Sequence, residues 1–320
     1  MADVLISADD LATFMKHEPS VIIDTRNPDA YAAGHIPGAV NLHEIFTFLA
    51  TSTPEGMDEL KKKFADAFGG AGLSGTETAV IYEQSMNSGF GQSCRGYFLL
   101  EFLGYPKIKV LHGGFDAWTM KGLPTTTDVS TPKPASFAIR PEAGSILIDA
   151  ATMQAALGNP SIAILDVRDV DEWIGESSSP YGKDFCPRMG RIPGAVWIEW
   201  YRMMKPTPEG PRFKSKNEIL AECATVGITP STTVYLLLQG RPRIEHVPGA
   251  QECRCGRCTD VFRFLERVEP RYEVSDRGGI AACRREAGGG GVALPLFRRV
   301  ARDRGDGLRE TGKLVAETSV

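Results

Sequence analysis

The sequence predicts an α/β protein built from two similar units, and three observations support this prediction. A short motif occurs twice, as Gly34–Val40 (GHIPGAV) and Gly190–Val196 (GRIPGAV). Each copy follows an apolar run that ends in Asp-x-Arg, at Asp24–Arg26 and at Asp166–Arg168. Apolar runs of strand length alternate with helix-length segments, which is the pattern of a parallel sheet flanked by helices. The repeated strand, spacer and turn indicate an internal duplication.

The elements of the first unit follow from local signals. Ser7 is placed to cap a first helix, because two acidic residues follow in the first turn. Apolar, β-branched runs predict buried parallel strands, and the segments between them predict helices. The predicted strands are Val21–Asp24, Val40–Leu42, Ala79–Tyr82 and Lys107–Leu111, and the predicted helices are Asp29–Gly34, Leu60–Phe68, Cys94–Leu103 and one that opens at Gly113–Trp118.

The chain divides into four predicted stretches. Residues 1–125 form the first domain, and residues 126–142 form a polar, proline-bearing linker. Residues 143–238 are a second, incomplete copy of the first domain, in which Thr233–Leu236 is the central strand. Residues 239–320 contain 1 Lys and 15 Arg, against 12 Lys and 8 Arg before them. This aberrant Arg- and Gly-rich tail lacks a regular hydrophobic period, so we expect it to be poorly ordered.

Composition excludes several classes of protein. With 320 residues, 42% hydrophobic content and a net charge of −4, the chain is an ordinary globular protein with enough length for two cores. No apolar run is long enough to span a bilayer. The first ten residues have neither a basic region nor an apolar core, so we expect a cytoplasmic protein. Seven cysteines are an odd number and are expected to be thiols rather than a disulfide framework.

These motifs resemble one family. Asp24–Arg26, Gly34–Val40 and His112–Trp118 (HGGFDAW), together with Asp166–Arg168 and Arg191–Val196, are similar to the rhodanese (sulfurtransferase) family over residues 1 to about 238. The resemblance implies two tandem rhodanese-like domains, as in the two-domain thiosulfate and 3-mercaptopyruvate sulfurtransferases. It also implies a structural role for a set of motif residues: Asp24, Arg26, Gly34, His35, Pro37, Gly38, Asp166, Arg168, Pro193 and Gly194.

The resemblance implies a reaction as well. A cysteine in a loop after a central strand of the second domain takes sulfane sulfur from a donor and passes it to an acceptor through a persulfide. This cysteine must be a thiolate, so its pKa must be lowered by backbone N–H groups at a helix N-terminus. The expected partners are a small anionic sulfur donor and a thiol or cyanide acceptor. No cofactor, metal ion, nucleic acid or membrane partner is expected.

Few residues are candidates for such a site. In the first unit Glu83 stands where the cysteine would follow the strand, so this unit is expected to be non-catalytic. Cys94 lies beside Arg95 near a helix start and is a weak candidate thiol; the alternative is a small buried residue of the first turn. Arg188 and Arg191 place two positive charges near the second turn, which suits an anionic donor such as thiosulfate. A solvated basic turn is the alternative.

The second unit lacks the nucleophile as the sequence is written. Its family loop would begin near Leu237 and Leu238, yet no cysteine follows there. With chosen synonymous codons read one base later, Leu236–His246 becomes Ser-Cys-Phe-Lys-Gly-Ala-Arg-Ala-Ser-Asn, which resembles the family's persulfide loop. In the same shifted frame Leu265–Pro270 becomes Trp-Ser-Glu-Trp-Ser, which resembles the family's closing motif. We interpret the residues from about 237 onward as frameshifted translation.

Other interpretations of the chain remain open. The tail contains candidate zinc ligands, although their spacing is not a paired Cys-x-x-Cys set: Cys253, Cys255, Cys258 and, as a fourth, His246 or Cys283. A nucleic-acid arm is disfavoured because acidic residues are interspersed among the arginines. His35 and His112 are interpreted as structural turn residues, since neither belongs to a ligand cluster. A non-catalytic binding module made of two rhodanese folds would need no low-pKa cysteine.

Overall fold

A computed structural model of the chain describes residues 4–47, 54–86, 91–141, 143, 146–148, 150–177, 189–237 and 255–257. These residues form two five-stranded sheets, one two-stranded hairpin and the helices between the strands. Both sheets belong to one compact part of the chain, Met1–Glu273. The predicted α/β class with a parallel sheet is confirmed, and the bounds given to the two domains and the linker stay predictions. Within the described ranges no helix is long and apolar enough to cross a membrane.

The first sheet has the strand order β1–β5–β4–β2–β3, and each neighbouring pair is parallel. Helices connect the strands, because parallel neighbours need a crossover rather than a tight turn. The elements are β1 (Leu5–Ile6), α1 (Ala8–His17), β2 (Ser20–Asp24), α2 (Pro28–Ala33), β3 (Val40–Asn41), α3 (Glu44–Thr47), α4 (Pro54–Gly70), β4 (Thr78–Tyr82), α5 (Gln92–Phe102), β5 (Ile108–Leu111) and α6 (Gly114–Met120).

Successive residues of these strands enter two separate cores, because side chains alternate between the faces of a strand. Ile22 and Val80 lie in the core on one face, and Ile23 and Ile81 lie in the core on the other. All four side chains are at most 2% exposed. Burial on both faces explains why the strands are continuous apolar runs rather than alternating ones.

Local signals set the helix starts. Ser7 Oγ accepts a hydrogen bond from the Asp10 backbone N–H at 3.1 Å, so the predicted cap of α1 is confirmed. Asn27 Oδ1 accepts one from the Ala30 backbone N–H at 2.8 Å and caps α2. The next long helix, α4, begins at Pro54 rather than at the predicted Leu60. Proline fits the first turn of a helix, where its missing N–H has no partner to lose.

The second sheet has the strand order β6–β12–β11–β7–β8. A separate antiparallel hairpin, β9–β10, lies between β8 and the last long helix in the chain order. The elements are β6 (Leu147–Ile148), α7 (Ala150–Ala156), β7 (Ile162–Asp166), α8 (Val170–Ile174), β8 (Val196–Trp197), a 3₁₀ helix (Trp200–Met203), β9 (Met204–Lys205), β10 (Arg212–Phe213), α9 (Lys216–Thr225), β11 (Thr233–Leu237) and β12 (Cys255–Arg257).

The two sheets repeat the same register and differ at one strand. Leu237 at the end of β11 pairs with Asp166, as Tyr82 at the end of β4 pairs with Asp24. The place that β5 fills in the first sheet is filled by β12 in the second. β12 is antiparallel to both of its neighbours, whereas β5 is parallel to both. A strand within the tail was not predicted; unpaired backbone groups beside β11 accept a strand of either direction.

Candidate functional site

The carboxyl ends of β4 and β11 are equivalent positions in the two sheets, and ligands of open parallel sheets bind at this edge. The Tyr82 carbonyl at the end of β4 accepts a hydrogen bond from the Thr25 N–H at 3.0 Å. The Leu237 carbonyl at the end of β11 accepts one from the Val167 N–H at 3.2 Å. The carboxyl ends of these two strands therefore match.

Glu83 directly follows β4, and its side chain is fully buried. Its carboxylate accepts hydrogen bonds from Ser93 Oγ at 2.6 Å and from the Gln92 backbone N–H at 3.2 Å, both in the first turn of α5. Burial raises the pKa of Glu83 to about 7, and the hydrogen bonds from Ser93 and Gln92 offset only part of this effect. In a persulfide loop, donors at a helix N-terminus stabilise a thiolate. In the first unit, the donors at the start of α5 contact the carboxylate of Glu83 instead.

The loop after β4 is held against the start of α6. The Phe115 N–H donates to the Glu83 carbonyl oxygen at 2.8 Å, and the Asp116 N–H donates to the Gln84 carbonyl oxygen at 2.9 Å. Gly114 has a φ of +66°, and a Cβ at this position would lie 2.5 Å from the Glu83 carbonyl oxygen. Only glycine allows this approach, so the loop and α6 are packed as one piece.

The Gln84 side chain fills the space between the first Asp-x-Arg motif and α6. Gln84 Oε1 accepts a hydrogen bond from Arg26 Nη1 at 3.0 Å, and Gln84 Nε2 donates to Asp116 Oδ1 at 2.6 Å. The Arg26 guanidinium also lies 3.9 Å from the centre of the Phe115 ring, and its side chain is 5% exposed. This buried cation is a structural group and is not accessible to an anionic substrate.

Cys94 lies in the first turn of α5, half-buried against the first core. Burial, together with the nearby Glu83 carboxylate, raises the pKa of Cys94 to about 12. A sulfur nucleophile needs the opposite shift, because only the thiolate reacts. The surroundings favour the interpretation of Cys94 as a small residue of the helical turn over the candidate thiol.

Each Asp-x-Arg motif forms a buried clamp on the turn that follows it. Arg26 Nη2 lies 2.7 Å from Asp24 Oδ2 and donates at 2.7 Å to the Gly34 carbonyl. Arg168 Nη2 lies 2.6 Å from Asp166 Oδ2 and donates at 2.9 Å to the Gly190 carbonyl. Asp24 and Asp166 are both fully buried. The repeated motif is therefore a repeated piece of architecture.

The turns that the clamps hold are also equivalent. Gly38 and Gly194 both have a φ of +79°, and each follows a proline, Pro37 or Pro193. The Ala39 N–H donates to the Ile36 carbonyl at 2.9 Å, which closes the first turn, and the matching bond in the second unit is 3.1 Å. Proline followed by a glycine with positive φ is the sequence of a type II turn.

Two histidines contact backbone groups far from them in sequence. His35 is fully buried, with Nδ1 2.8 Å from the Tyr31 carbonyl and Nε2 3.1 Å from the Asp128 carbonyl. His112 Nε2 accepts a hydrogen bond from the Phe213 N–H at 2.9 Å. Across the described part of the chain, no group of His, Cys, Asp and Glu side chains is arranged to hold a metal ion.

The second turn presents one guanidinium to solvent. Arg191 is exposed, with its Cζ 4.4 Å from the centre of the Trp173 ring and its Nη1 donating to the Trp173 carbonyl at 3.3 Å. Trp173 in turn stacks on Trp197, with ring centres 6.1 Å apart. Arg191 is thus held at the surface by a cation–π contact. Arg188, the second predicted donor-binding residue, lies outside the described residues.

The strand before the predicted second loop ends at Leu237, which is 7% exposed. Leu238 follows it in the sequence, as Glu83 follows Tyr82 at the end of β4. The loop from Leu238 on lies outside the described residues. The candidate zinc ligands also lie outside them, apart from the backbone of Cys255.

Comparison with known proteins identifies the family. Residues 7–121 match the rhodanese-like domain family. A putative thiosulfate sulfurtransferase of Mycobacterium tuberculosis is 30% identical over 239 residues, which cover 72% of this chain and 80% of the relative. The chain belongs to the rhodanese family. By this family resemblance it is a sulfurtransferase.

Two other relatives match a similar share of this chain at lower identity. The thiosulfate sulfurtransferase of Azotobacter vinelandii is 26% identical over 242 residues, covering 75% of this chain and 84% of the relative. The sulfur carrier protein TtuD of Thermus thermophilus is 26% identical over 255 residues, covering 76% and 85%.

Two solved structures share the fold of this chain. Wild-type EanB superimposes with a TM-score of 0.60 at 24% identity over 73% of this chain and 59% of that one. The anaerobic ergothioneine biosynthesis enzyme of Chlorobium limicola gives 0.61 at 22% identity, over 73% and 60%. This chain thus spans about 60% of the length of those structures, and at this identity the likeness concerns the fold alone.

Sequence reasoning found the rhodanese motifs but missed the groups that fill the first loop. From the sequence alone, Glu83 is only a residue in the nucleophile's place, and neither the Ser93 contact nor the link between Gln84 and Asp116 is predicted. The signal was weak, because these partners are 10 and 32 residues apart in the sequence.

Proposed function

We propose that this gene encodes a sulfurtransferase whose nucleophilic cysteine belongs in the loop after β11, and that the chain as written is inactive because it lacks this cysteine. The observation that supports the proposal is the position of Leu237. It ends the central strand of the second sheet, opposite Asp166, where the family resemblance places the persulfide loop. The written sequence continues Leu238-Gln239-Gly240-Arg241, without a thiol.

The proposed reaction has two steps. The cysteine thiolate attacks the sulfane sulfur of thiosulfate, which forms the Cys–S–S⁻ persulfide and releases sulfite. Cyanide or a thiolate then attacks the outer sulfur, which forms thiocyanate or a new persulfide and returns the cysteine thiolate. With 3-mercaptopyruvate as the donor, pyruvate leaves instead. Each step moves one neutral sulfur atom between nucleophiles, so no oxidant and no cofactor are needed.

Arg191 is the donor-binding residue of this proposal, together with Arg188, which precedes it by three residues in the sequence. Its guanidinium is exposed and held against Trp173 at the second turn. A guanidinium with a fixed plane binds an oxyanion through paired N–H donors better than a mobile ammonium does. The donor's sulfonate or carboxylate would pair with it.

Three features support a change of reading frame near residue 237. Lysine gives way to arginine after this point, as the counts on either side show. β12 fills the place of a parallel strand in the opposite direction. The alignments with the relatives cover 72–76% of this chain, which is close to the share of the 320 residues that precedes the proposed shift.

The test is to resequence the DNA across codons 230 to 280 and to assay two proteins. One is the chain as written, and the other carries the frame that reads Ser-Cys-Phe-Lys-Gly-Ala-Arg in place of Leu236–Pro242. We expect thiosulfate:cyanide sulfur transfer only from the second protein, and none after its loop cysteine is replaced with serine. Transfer by the chain as written that is lost in Cys94→Ser would overturn the proposal in favour of Cys94.

A second candidate function is a non-catalytic binding module. It is favoured by Glu83, which fills the nucleophile's place in the first unit with a carboxylate. If the DNA confirms the written frame and both Cys94→Ser and the wild-type chain lack sulfur transfer, this is the remaining function of the chain.

A further inference from the structure

A segment of the second unit packs on the first sheet. This segment, Trp200–Phe213, comprises the 3₁₀ helix and the β9–β10 hairpin and is called the strap below. The Trp200 N–H donates to the Val167 carbonyl at 3.1 Å, just past the carboxyl end of β7. Phe213 at the other end is 9% exposed and belongs to a core of the first sheet. The strap therefore runs from the carboxyl edge of the second sheet to the first.

His112, just after the end of the first sheet's β5, accepts a hydrogen bond from the strap. It follows β5, and its backbone N–H is fixed by the Ile6 carbonyl at 2.8 Å. Its Nε2 accepts a hydrogen bond from the Phe213 N–H at 2.9 Å, and the two rings lie 6.2 Å apart between centres. A ring nitrogen accepts a hydrogen bond only when it carries no proton, so this contact requires neutral His112.

The charged groups near His112 come from three elements. Arg212 on the strap lies against the next residue, Gly113, where an added Cβ would be 2.1 Å from Arg212 Nη1. Arg212 Nη2 is 3.6 Å from Glu209 Oε2, also on the strap. The charges of Arg212 and Glu209 act on Lys121, which directly follows α6. Lys121 Nζ lies 3.1 Å from Oδ2 of Asp9 in α1.

We propose that His112 is a pH-sensitive latch that holds the strap on the first sheet, and that its protonation releases the strap. Protonated His112 cannot accept the hydrogen bond that the Phe213 N–H donates to its Nε2, and it places a positive charge beside Arg212. Trp200 of the strap also lies near the residue before α5, since a Cβ at Gly91 would be 3.9 Å from the Trp200 ring. Release therefore moves Trp200 away from the start of α5.

The direction of the pH dependence follows from proton binding. Burial first, and then the charge of Arg212, lower the pKa of His112 from 6.5 to about 4 in the docked state. The docked state thus binds fewer protons than the released state. Docking is fully favoured above the ordinary pKa of 6.5 and weakens as the pH falls toward 4.

Hydrogen exchange of the full chain tests the latch. Protection of the strap's amides, corrected for intrinsic exchange rates, is compared at about pH 7.5 and about pH 5.5, with α9 as the internal reference. For these pKa values linkage gives a loss of about tenfold in the strap. An unchanged strap in the wild-type chain over this range would overturn the proposal.

Three variants test whether the His112 ring causes the pH dependence. In His112→Gln the strap's protection becomes independent of pH, whereas His17→Gln, which alters an exposed histidine of α1, behaves as the wild-type chain does. Arg212→Gln brings the docked pKa of His112 closer to 6.5, so the loss on acidification is smaller. A His112→Gln strap that loses protection with pH as the wild type does contradicts the proposal. If the strap of His112→Gln is unprotected at every pH, Arg212→Gln provides the test instead. A loss of protection on acidification that is no smaller in Arg212→Gln than in the wild type would then overturn the proposal.

Discussion

At the scale of residues, the duplicated motifs are retained as buried ion pairs. Asp24 and Asp166 are fully buried, and each is neutralised by the arginine two residues later. Such a pair adds little net stability when whole, because both charges lose their hydration. Its guanidinium also holds a backbone carbonyl of the next turn. The pair therefore fixes the geometry of the turn, and losing one partner is costly.

We expect Arg26→Ala to lower the free energy of unfolding by about 3–5 kcal/mol, since Asp24 is left as an unpaired buried charge. The matched control is Lys62→Ala. Lys62 Nζ lies 2.6 Å from Asp66 Oδ2, much like the 2.7 Å of the Arg26–Asp24 pair, but the Lys62 side chain is 79% exposed. The control should cost less than about 1 kcal/mol. Urea unfolding measures both, and equal losses would mean that burial does not decide the effect.

Glu83 gives the folded chain a pH dependence that a single substitution removes. Its pKa is raised from 4.5 to about 7 by burial, so the folded state binds the proton more tightly than the unfolded state. The stabilisation is complete below pH 4.5 and is lost as the pH rises through 7. Relative to wild type, Glu83→Gln should therefore gain stability between about pH 5 and pH 8, on the order of 3 kcal/mol.

The measurement is urea unfolding of both proteins at several pH values in that range. Taking the difference between the two proteins cancels the titration of His112 and the other histidines. Glutamine keeps one acceptor oxygen for the Gln92 N–H, and its amide NH₂ can donate to Ser93 Oγ, so both contacts of the loop are kept with one of them reversed. A difference that stays constant with pH would show that Glu83 is ionised throughout.

At the scale of elements, two glycines with the same backbone conformation have different surroundings. Gly114 and Gly122 have φ values of +66° and +65°. A Cβ at Gly114 would meet the Glu83 and Gln84 carbonyls at 2.5 and 2.7 Å, whereas a Cβ at Gly122 would meet nothing within 4 Å. The pair separates backbone strain from steric overlap.

We expect Gly122→Ala to cost about 1 kcal/mol from the left-handed conformation alone. Gly114→Ala should cost about 1–3 kcal/mol more, because α6 must move away from the loop after β4. Thermal or urea unfolding of the two variants gives the difference directly. Similar losses at both positions would show that α6 is free to shift at no cost.

Much of the first unit was predictable at this scale, because its signals are local. The strand Val21–Asp24 differs from the observed Ser20–Asp24 by one residue, and the Ser7 cap is confirmed. The hairpin β9–β10 was not predicted, since its strands have two residues each and pair only with each other. The site was less predictable, because the contact of His112 with Phe213 spans 101 residues. The hydrophobic periodicity of a single strand or helix gives no information about such a contact.

At the scale of the whole molecule, the two sheets share buried side chains. Phe213 comes from the second half of the chain but lies in a core of the first sheet, and Met203 packs against cores of both. The stability of the first sheet therefore depends on residues that follow the predicted linker. The two predicted domains are coupled even though each has its own sheet.

We expect Phe213→Ala to lower the free energy of unfolding by about 3–5 kcal/mol, the usual cost of a cavity left by a buried phenylalanine. Val129→Ala, at a side chain that is 76% exposed, should change it by less than about 0.5 kcal/mol. Urea unfolding followed by tryptophan fluorescence measures both. A loss at Phe213 no larger than that at Val129 would mean that the two halves fold independently.

The antiparallel strand β12 has a consequence for the behaviour of the chain in concentrated solution. The slot between β6 and β11 recognises backbone hydrogen-bonding groups and not a particular sequence, since a three-residue strand of reversed direction fills it. A slot of this kind is open to competition from any extended peptide, including one from another copy of the chain. Polymerisation by strand exchange would then rise with concentration, and an added peptide matching β5 would inhibit it.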